Sequence, residues 1–349
     1  MPKKSENRTH EIIDFIMNHP KCTSLEILEG LNLDMSVATL RRKLQTLVAA
    51  DLINAIGELK SRKYEISNGF EIIRPIDMNQ YFEKEIDDRV IQDKFNSGLI
   101  NDTLQNISIF TNTELDQLNN LQEKFKSNSS KLSKSEYKNE LERLAIDLSW
   151  KSSQIEGNTY SLLETERLLK DKETAAGKTK DEATMLLNHK DALDFIIKNP
   201  NYINPLTVSS IEDIHSILVK ELDISRNIRS RRVGIAGTNY KPLDNEFQIK
   251  EAVESMCTLI NSKKNVFEKA LLSLVLVSYI QPFSDGNKRT ARIISNAILI
   301  NNHFCPISFR TIDSIEYKKA MLVFYEQTSI SPFKKVFIGQ FEFEVNTYF

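Results

Sequence analysis

Wound as a helix, the stretch from Phe267 to Ile280 is apolar on nearly every side. Such a helix has no face to give to water and must run through the centre of a larger assembly. Its most apolar part, Ala270 to Ile280, is too short to cross a bilayer, so the burial has to come from protein. A chain of 349 residues is long enough for two or three domains, one of them with a large core. Only 10 residues are glycine and 9 are proline. With so little backbone punctuation, mostly helices and short loops are expected. The 40% hydrophobic and 27% charged content excludes wholesale disorder.

A polar run follows that buried helix: Gln281-Pro282-Phe283-Ser284-Asp285-Gly286-Asn287-Lys288-Arg289-Thr290-Ala291-Arg292. A new helix is expected to begin near Asn287. The free N–H groups and the dipole of its first turn suit an anion. Arg289 and Arg292 stand three residues apart, on one face, and guanidinium forks match phosphate oxygens. Gly286 lets backbone approach a ligand closely. Asp285 could hold Mg2+ jointly with phosphates. The run therefore reads as a polyphosphate cradle; the plainer alternative is a helix capped by Asp285 with two surface arginines.

Elsewhere the pattern is helical. Glu136 to Glu156 is one helix, stopped by Gly157, and Ser161 with Glu164 caps the next. Lys180 to Ile197 and Leu206 to Leu222 are two more. Arg232 to Pro242 (RVGIAGTNYKP) reads as a β-hairpin, and Ser127 to Ser135 as a linker. Glu156, in the last turn of its helix, opposes the dipole and needs a cationic partner. Taken alone it is an ordinary solvated glutamate.

The run at 281–292 resembles the signature of the Fic family, His-Pro-Phe-x-(Asp/Glu)-Gly-Asn-(Gly/Lys)-Arg-x-x-Arg. Ser152, Glu156 and Gly157 resemble that family's inhibitory motif, (Ser/Thr)-x-x-x-Glu-(Gly/Asn). Asn188-His189-Lys190 and the Val233 to Pro242 stretch also sit where Fic proteins carry matching features. The resemblance covers roughly residues 70–349. It implies an all-α Fic fold with a small β-hairpin flap, ATP and Mg2+ as cofactors, and transfer of AMP to a protein hydroxyl. By it, Asp285 binds Mg2+, Gly286, Asn287 and Lys288 line the phosphate loop, and Arg289 and Arg292 neutralise phosphates. Thr238, Asn239, Tyr240 and Lys241 form the flap that docks an extended target by strand addition. Glu156 reaches Arg292 and stands where the γ-phosphate would lie.

One position departs from the signature. Gln281 stands where the family has the histidine expected to take the proton of the attacking hydroxyl. Imidazole titrates near neutral pH, whereas a carboxamide does not. General-base catalysis contributes about 10²–10⁴-fold, so impaired chemistry with surviving nucleotide binding is expected. His189, His215 and His303 read as packing or surface histidines, since nothing in the sequence brings them to the loop. Lys288 also occurs in relatives that transfer phosphate, the Doc-like phosphotransferases, and suits either nucleotide orientation.

Residues 1–66 read as a separate unit. Ile12, Ile13 and Ile16 mark a helix stopped by Pro20. Thr23 and Glu26 make a capping box, and Ser36 caps a helix striped by Val37, Leu40, Leu44, Leu47 and Val48. A short hairpin follows between Leu52 and Ile66. This order resembles a winged helix-turn-helix. Ten basic against nine acidic residues leave a net charge of +1. The candidate DNA contacts are Arg41, Arg42, Lys43, Lys60, Arg62 and Lys63, on the third helix and the presumed wing. A protein-docking module is the alternative.

The expected domains are 1–68, a winged helix; 69–135, a helical connection; and 136–349, a Fic domain with its inhibitory helix. The competing functions are an autoinhibited adenylyltransferase, a nucleotide-responsive DNA-binding regulator, and a phosphotransferase. Expected partners are ATP and a target protein hydroxyl of Ser, Thr or Tyr, or the chain itself. DNA is a further candidate and a homodimer is left open; no membrane is implied. Three widely spaced cysteines form no metal pair, and MPKKSENRTH lacks an apolar signal core. Both point to a reducing, cytoplasmic setting.

Overall fold

The computed structural model describes residues 3–49, 52–58 and 61–349. In chain order these form α1 (Lys3–Asn18), β1 (Cys22–Thr23), α2 (Ser24–Gly30), α3 (Val37–Ala49), β2 (Ile53–Ile56) and β3 (Lys63–Ile66). Next come α4 (Asn68–Ile73), α5 (Met78–Phe82), α6 (Leu104–Asn106), α7 (Asn112–Ser129), α8 (Lys134–Ile155), α9 (Leu162–Asp171) and α10 (Lys180–Lys198). The remaining helices are α11 (Val208–Leu218), α12 (Glu246–Ser262), α13 (Val266–Ile280), α14 (Asn287–Asn301), α15 (Ser314–Gln327) and α16 (Ser331–Thr347). Two compact units result. One takes in the residues up to Arg74 with Asp102–Ile107; the other takes in Pro75–Asn101 with Ser108–Phe349. Residues 69–135, expected as a connection, are thus divided between them.

In the first unit α1, α2 and α3 enclose Ile12, Ile16, Ile27, Leu40 and Leu44, all fully buried. The capping box at Thr23 and Glu26 starts α2, and the Ser36 hydroxyl accepts from the Thr39 N–H at 3.1 Å before α3. A three-stranded antiparallel sheet, in the order β1-β3-β2, closes the unit. Ile53 pairs with Ile66 and Ile56 with Lys63, so the short hairpin lies in the expected place.

The second unit is helical and is built around α13. From Ala270 to Ile280 every side chain of α13 is buried, as its all-round apolar sequence requires. Burial of each large aliphatic side chain contributes about 1.5–3 kcal/mol. α14 and α12 pack alongside it, and α15 and α16 complete its surroundings. The Ser127–Ser135 stretch is not a linker. It is the tight turn between α7 and α8, closed by a capping box of Ser133 and Glu136.

The Arg232–Pro242 stretch is not a β-hairpin. Its two arms form no ladder with each other, and a turn at Ala236–Gly237 reverses the chain. The returning arm takes other partners: the Lys241 N–H donates to the Asp93 carbonyl at 2.8 Å, and Lys241 makes an isolated parallel bridge with Lys94. The neighbouring Tyr240 N–H is taken by Thr238 Oγ1 at 3.1 Å, so neither donor forms a rung with the outgoing arm. No helix among the described residues is long and apolar enough to cross a membrane.

Candidate functional site

The site begins where α13 stops. Gln281 takes the left-handed conformation (φ 53°, ψ 60°), and its N–H donates to the Val277 carbonyl. The chain then turns through Pro282–Gly286 into α14. Asn287 holds this turn: its Oδ1 accepts from the Phe283 N–H, and its Nδ2 donates to the Phe283 carbonyl and to Gln281 Oε1, each at 2.8 Å. The Asn287 side chain is therefore occupied within the loop, and only its backbone is left to line a phosphate site. Gln281 is occupied at both ends as well, because its Nε2 donates to the Ser278 carbonyl at 2.6 Å.

Gly286 is the N-cap of α14, with φ 78°, and no side chain caps this helix. A Cβ placed on it would lie 3.1 Å from His215 Cε1. Asp285 is 65% exposed at its side chain. It accepts from the Gly286 N–H at 2.6 Å and from Arg289 Nη2 at 3.3 Å.

Arg289 and Arg292 are almost wholly buried. Arg292 donates through Nε to Ser152 Oγ at 2.8 Å, and through Nη2 to the Ser152 carbonyl at 3.0 Å and to Glu156 Oε1 at 2.8 Å. Its guanidinium lies over the Tyr317 ring. Lys288 Nζ approaches the other oxygen, Glu156 Oε2, at 3.3 Å. Glu156 is the C-cap of α8, and Gly157 beyond it takes φ 102°. Burial alone would raise the Glu156 carboxyl, but Arg292 and then Lys288 outweigh it and hold it below the usual range.

Arg289 Nε and Nη1 and Arg292 Nη1 are buried without a hydrogen-bond partner. Buried guanidinium donors in that state, at an uncapped helix amino end, fit the oxygens of a phosphate chain. For a divalent cation the fit is one exposed carboxylate, Asp285. No cluster of three or more potential ligands exists among the described residues. That suits an ion shared with phosphates better than one caged by protein.

Two histidines read as unrelated to the loop lie close to the site, His215 against the loop itself and His189 near the arginines of α14. His215 stacks on Phe283, with ring centroids 3.6 Å apart, and contacts Thr290 Oγ1 and the Ser225 carbonyl. Burial pushes it down to about 4, so it is neutral packing under the loop. His189 is buried near the two arginines and is held well below its ordinary value, by burial first and then by Arg292 and Arg289. Both remain packing residues, but at the site rather than away from it. His303 lies elsewhere in the second unit, where its carbonyl accepts from Gln122 Nε2.

Arg229 was not singled out by the sequence. It is buried, and its guanidinium donates to the carbonyls of Gln281 at 2.7 Å, Arg231 at 2.8 Å and Leu243 at 2.6 Å. It ties the Gln281 turn to both ends of the 231–243 loop. No local signal marks it within its run of arginines; only the fold brings those carbonyls together.

Of the four expected flap residues, Tyr240 does not face outward. It is buried in a stack with Tyr279 and Tyr325, and its hydroxyl donates to the Tyr279 carbonyl at 3.0 Å. Thr238 Oγ1 accepts from the Tyr240 N–H, and Asn239 and Lys241 lie on the exposed edge. In the first unit, Arg41 and Arg62 line a concavity of about 320 Å3 with Thr23, Gln45 and Tyr64. Arg42 and Lys63 are exposed and Lys43 is half-buried; Lys60 lies outside the described residues.

Residues 205–299 match the Fic/DOC family, so the chain carries a Fic/DOC domain there. It is 30% identical over 172 residues to the protein adenylyltransferase Fic of Nematostella vectensis, covering 48% of this chain and 40% of that protein. It is 28% identical over 161 residues to the protein adenylyltransferase Fic of Aedes aegypti, covering 44% of this chain and 32% of that one. The chain thus spans two fifths or less of these curated relatives. Among solved structures it resembles Fic-1 from C. elegans, with a TM-score of 0.59 and 20% identity over 68% of this chain and 72% of that one. It also resembles a Fic domain containing signaling protein from Bacteroides thetaiotaomicron, with a TM-score of 0.56 and 22% identity over 66% and 94%. The mostly helical second unit therefore has the Fic fold.

Proposed function

We propose that this chain is a protein adenylyltransferase of the Fic type, held at rest by Glu156 and slowed by Gln281. The reading rests above all on one contact. Glu156 arrives from α8 and pairs with both Arg292 and Lys288 at the amino end of α14, while Arg289 beside it keeps N–H groups without partners. A carboxylate that neutralises two cations of an anion site competes with any phosphate for them. Bound ATP would supply the adenylyl group, with pyrophosphate as the leaving group. Arg289, Arg292, Lys288 and the backbone from Gly286 to Lys288 would hold its phosphates. Asp285 would hold Mg2+ jointly with them.

The residue that should take the acceptor's proton is the weak point. Gln281 has no titrating lone pair, and both ends of its carboxamide are already engaged. It can hold the turn but not serve as base, which costs about 10²–10⁴-fold in rate. Three free, buried cysteines agree with a reducing, cytoplasmic setting.

The test uses ATP labelled at either end. Wild type is expected to transfer little α-label to protein hydroxyls, and Gln281→His with Glu156→Gly to restore transfer by at least 100-fold. Removal of Glu156 alone should tighten Mg-ATP binding about tenfold or more, as loss of a charge-assisted competitor implies. Transfer of γ-label instead would point to the phosphotransferase reading. Absence of nucleotide binding by every variant would overturn the proposal.

For the first unit we infer a winged helix that contacts DNA. The observation favouring it is the convergence of Arg41, Gln45 and Arg62 on one concavity between α3 and β3. Arg62 Nε is buried there without a partner. The full chain should bind duplex DNA with an affinity that falls as salt rises. Arg41→Ala with Arg62→Ala should lower the salt slope by about two. No binding even at low salt would remove this reading.

A further inference from the structure

The loop that follows α11 runs along the mouth of the anion site and is fixed there at two points. At one, the Ser225 carbonyl accepts from His215 Nε2 at 3.2 Å. The His215 ring lies against Gly286, its Cε1 3.1 Å from where a Cβ on Gly286 would stand. At the other, the Arg229 N–H donates to the Pro282 carbonyl at 2.9 Å and its Nε to the Gln281 carbonyl at 2.7 Å. The stretch from Ser225 to Arg231 is thereby held beside the 281–286 turn, on the side where Ser284 and Asp285 are exposed. Arg229 is the buried staple of this arrangement.

Its neighbours are used differently. Arg226, Arg231 and Arg232 are exposed, and among the described residues their side chains make no hydrogen bond and no ion pair. Positions 220–232 hold five basic and two acidic residues, a local charge of +3 in a chain whose net charge is -2. The acidic groups around them are mostly engaged. Glu221 stands 4.0 Å from Lys220, Asp285 pairs with Arg289 across the turn, and Asp244 acts on Arg229. Asp223 alone is left against three unpaired guanidinium groups. Like charges gathered on one short stretch repel in the free chain and gain only when an anion meets them. That anion is not the nucleotide's phosphate chain, whose donors lie on the inner side of the turn at Lys288, Arg289 and Arg292. The stretch is anchored instead on the carbonyls of Gln281 and Pro282, at the position where an acceptor hydroxyl would meet the loop.

We propose that Arg226, Arg231 and Arg232 form an interaction surface for an acidic partner: a target protein whose acceptor hydroxyl is flanked by aspartates or glutamates. Guanidinium forks match carboxylates in two-point contacts, and arginine keeps its charge at any physiological pH. Complementary charge at the rim speeds encounter and sets orientation more than it adds affinity, so the surface selects among targets. This deepens the adenylyltransferase reading and rests on it, since it names the chemistry of the acceptor.

The test uses the full chain carrying Gln281→His and Glu156→Gly, with two fluorescent threonine peptides. One has four glutamates around the threonine, and the other has four glutamines. At low salt kcat/KM for transfer of α-label should favour the glutamate peptide by about tenfold, because exposed ion pairs each add little and three act together. The preference should shrink as salt rises. Adding Arg226→Ala, Arg231→Ala and Arg232→Ala should abolish the preference while leaving transfer to the glutamine peptide and the Kd for Mg-ATP unchanged. The corresponding triple lysine variant, which keeps the charge, should retain most of the preference. Equal transfer to both peptides before the arginines are removed, or a preference that survives their removal, would overturn the proposal. So would a loss of Mg-ATP affinity in the triple alanine variant, which would give the rim to the nucleotide. A single-stranded oligonucleotide that binds more tightly than the glutamate peptide through the same three arginines would also overturn it, making the rim a nucleic-acid site. If no α-label reaches either peptide, the adenylyltransferase reading fails by itself. Fluorescence anisotropy of the two peptides, expected to show the same preference and the same dependence on the arginines, then judges the rim.

Discussion

At the residue scale the site depends on charges and backbone angles that few side chains can supply. Glu156 stays ionised because two cations face it, although burial works the other way. Its folded value lies below the ordinary 4.5. Its stabilising contribution is therefore present above that pH and is lost as the pH falls through the lower folded value. Gly286 is constrained more tightly still. It combines φ 78° with a neighbour, His215 Cε1, 3.1 Å from where a Cβ would stand. Gly286→Ala should destabilise the second unit by about 1–3 kcal/mol and weaken Mg-ATP binding in the Glu156→Gly background. Thermal unfolding and equilibrium binding check the two effects, and an unchanged melting temperature would contradict this account of the turn.

At the element scale the turn between α13 and α14 is held by groups far from it in sequence. Arg229 supplies three charge-assisted hydrogen bonds, one to the Gln281 carbonyl and one to a carbonyl at each end of the 231–243 loop. Arg229→Ala leaves those carbonyls without their donor and should cost about 3 kcal/mol or more. Its circular dichroism melting curve should shift down accordingly. Arg229→Lys, which cannot fork to three carbonyls, should recover only part of the loss. The local signals for the helices were readable: the capping boxes at Thr23 and Ser161 begin α2 and α9 where expected. The 232–242 stretch was misread because turn-like residues between apolar ones are also what a loop needs when its edge pairs with a distant segment. Lys241 of the returning arm pairs with Asp93 and Lys94 and not with the outgoing arm.

At the scale of the whole molecule, stability responds to pH through a group remote from the site. Glu344 of α16 is buried; its Oε1 accepts from the Ser308 N–H at 2.7 Å and hydroxyl at 2.6 Å, and its Oε2 has no partner. Burial pushes its carboxyl up to about 8, against the pull of the Ser308 hydrogen bonds. Between the ordinary 4.5 and about 8 the folded chain holds a proton that the unfolded chain has released. Stability from this group is therefore full below 4.5 and declines as the pH rises towards 8. Glu344→Gln should flatten that decline. Above pH 8 it should raise the melting temperature relative to wild type by at least about 2–4 °C, the shift that roughly 1 kcal/mol makes in a domain of this size. Parallel pH profiles of the two proteins would contradict the assignment.

The sequence by itself determined the buried helix, the turn after it and the first turn of α14, because each is written in contiguous residues whose periodicity, glycine and caps act locally. It also marked Gln281 as unable to accept a proton, which follows from the chemistry of an amide in any fold. Tertiary structure alone decided that Lys288 joins Arg292 on Glu156, that Arg229 gathers three carbonyls, that His215 lies under the loop and that Lys241 pairs with Asp93. Each of those contacts joins residues far apart along the chain. Their free energy depends on a distance that exists only after the helices have packed, so no local pattern could carry it.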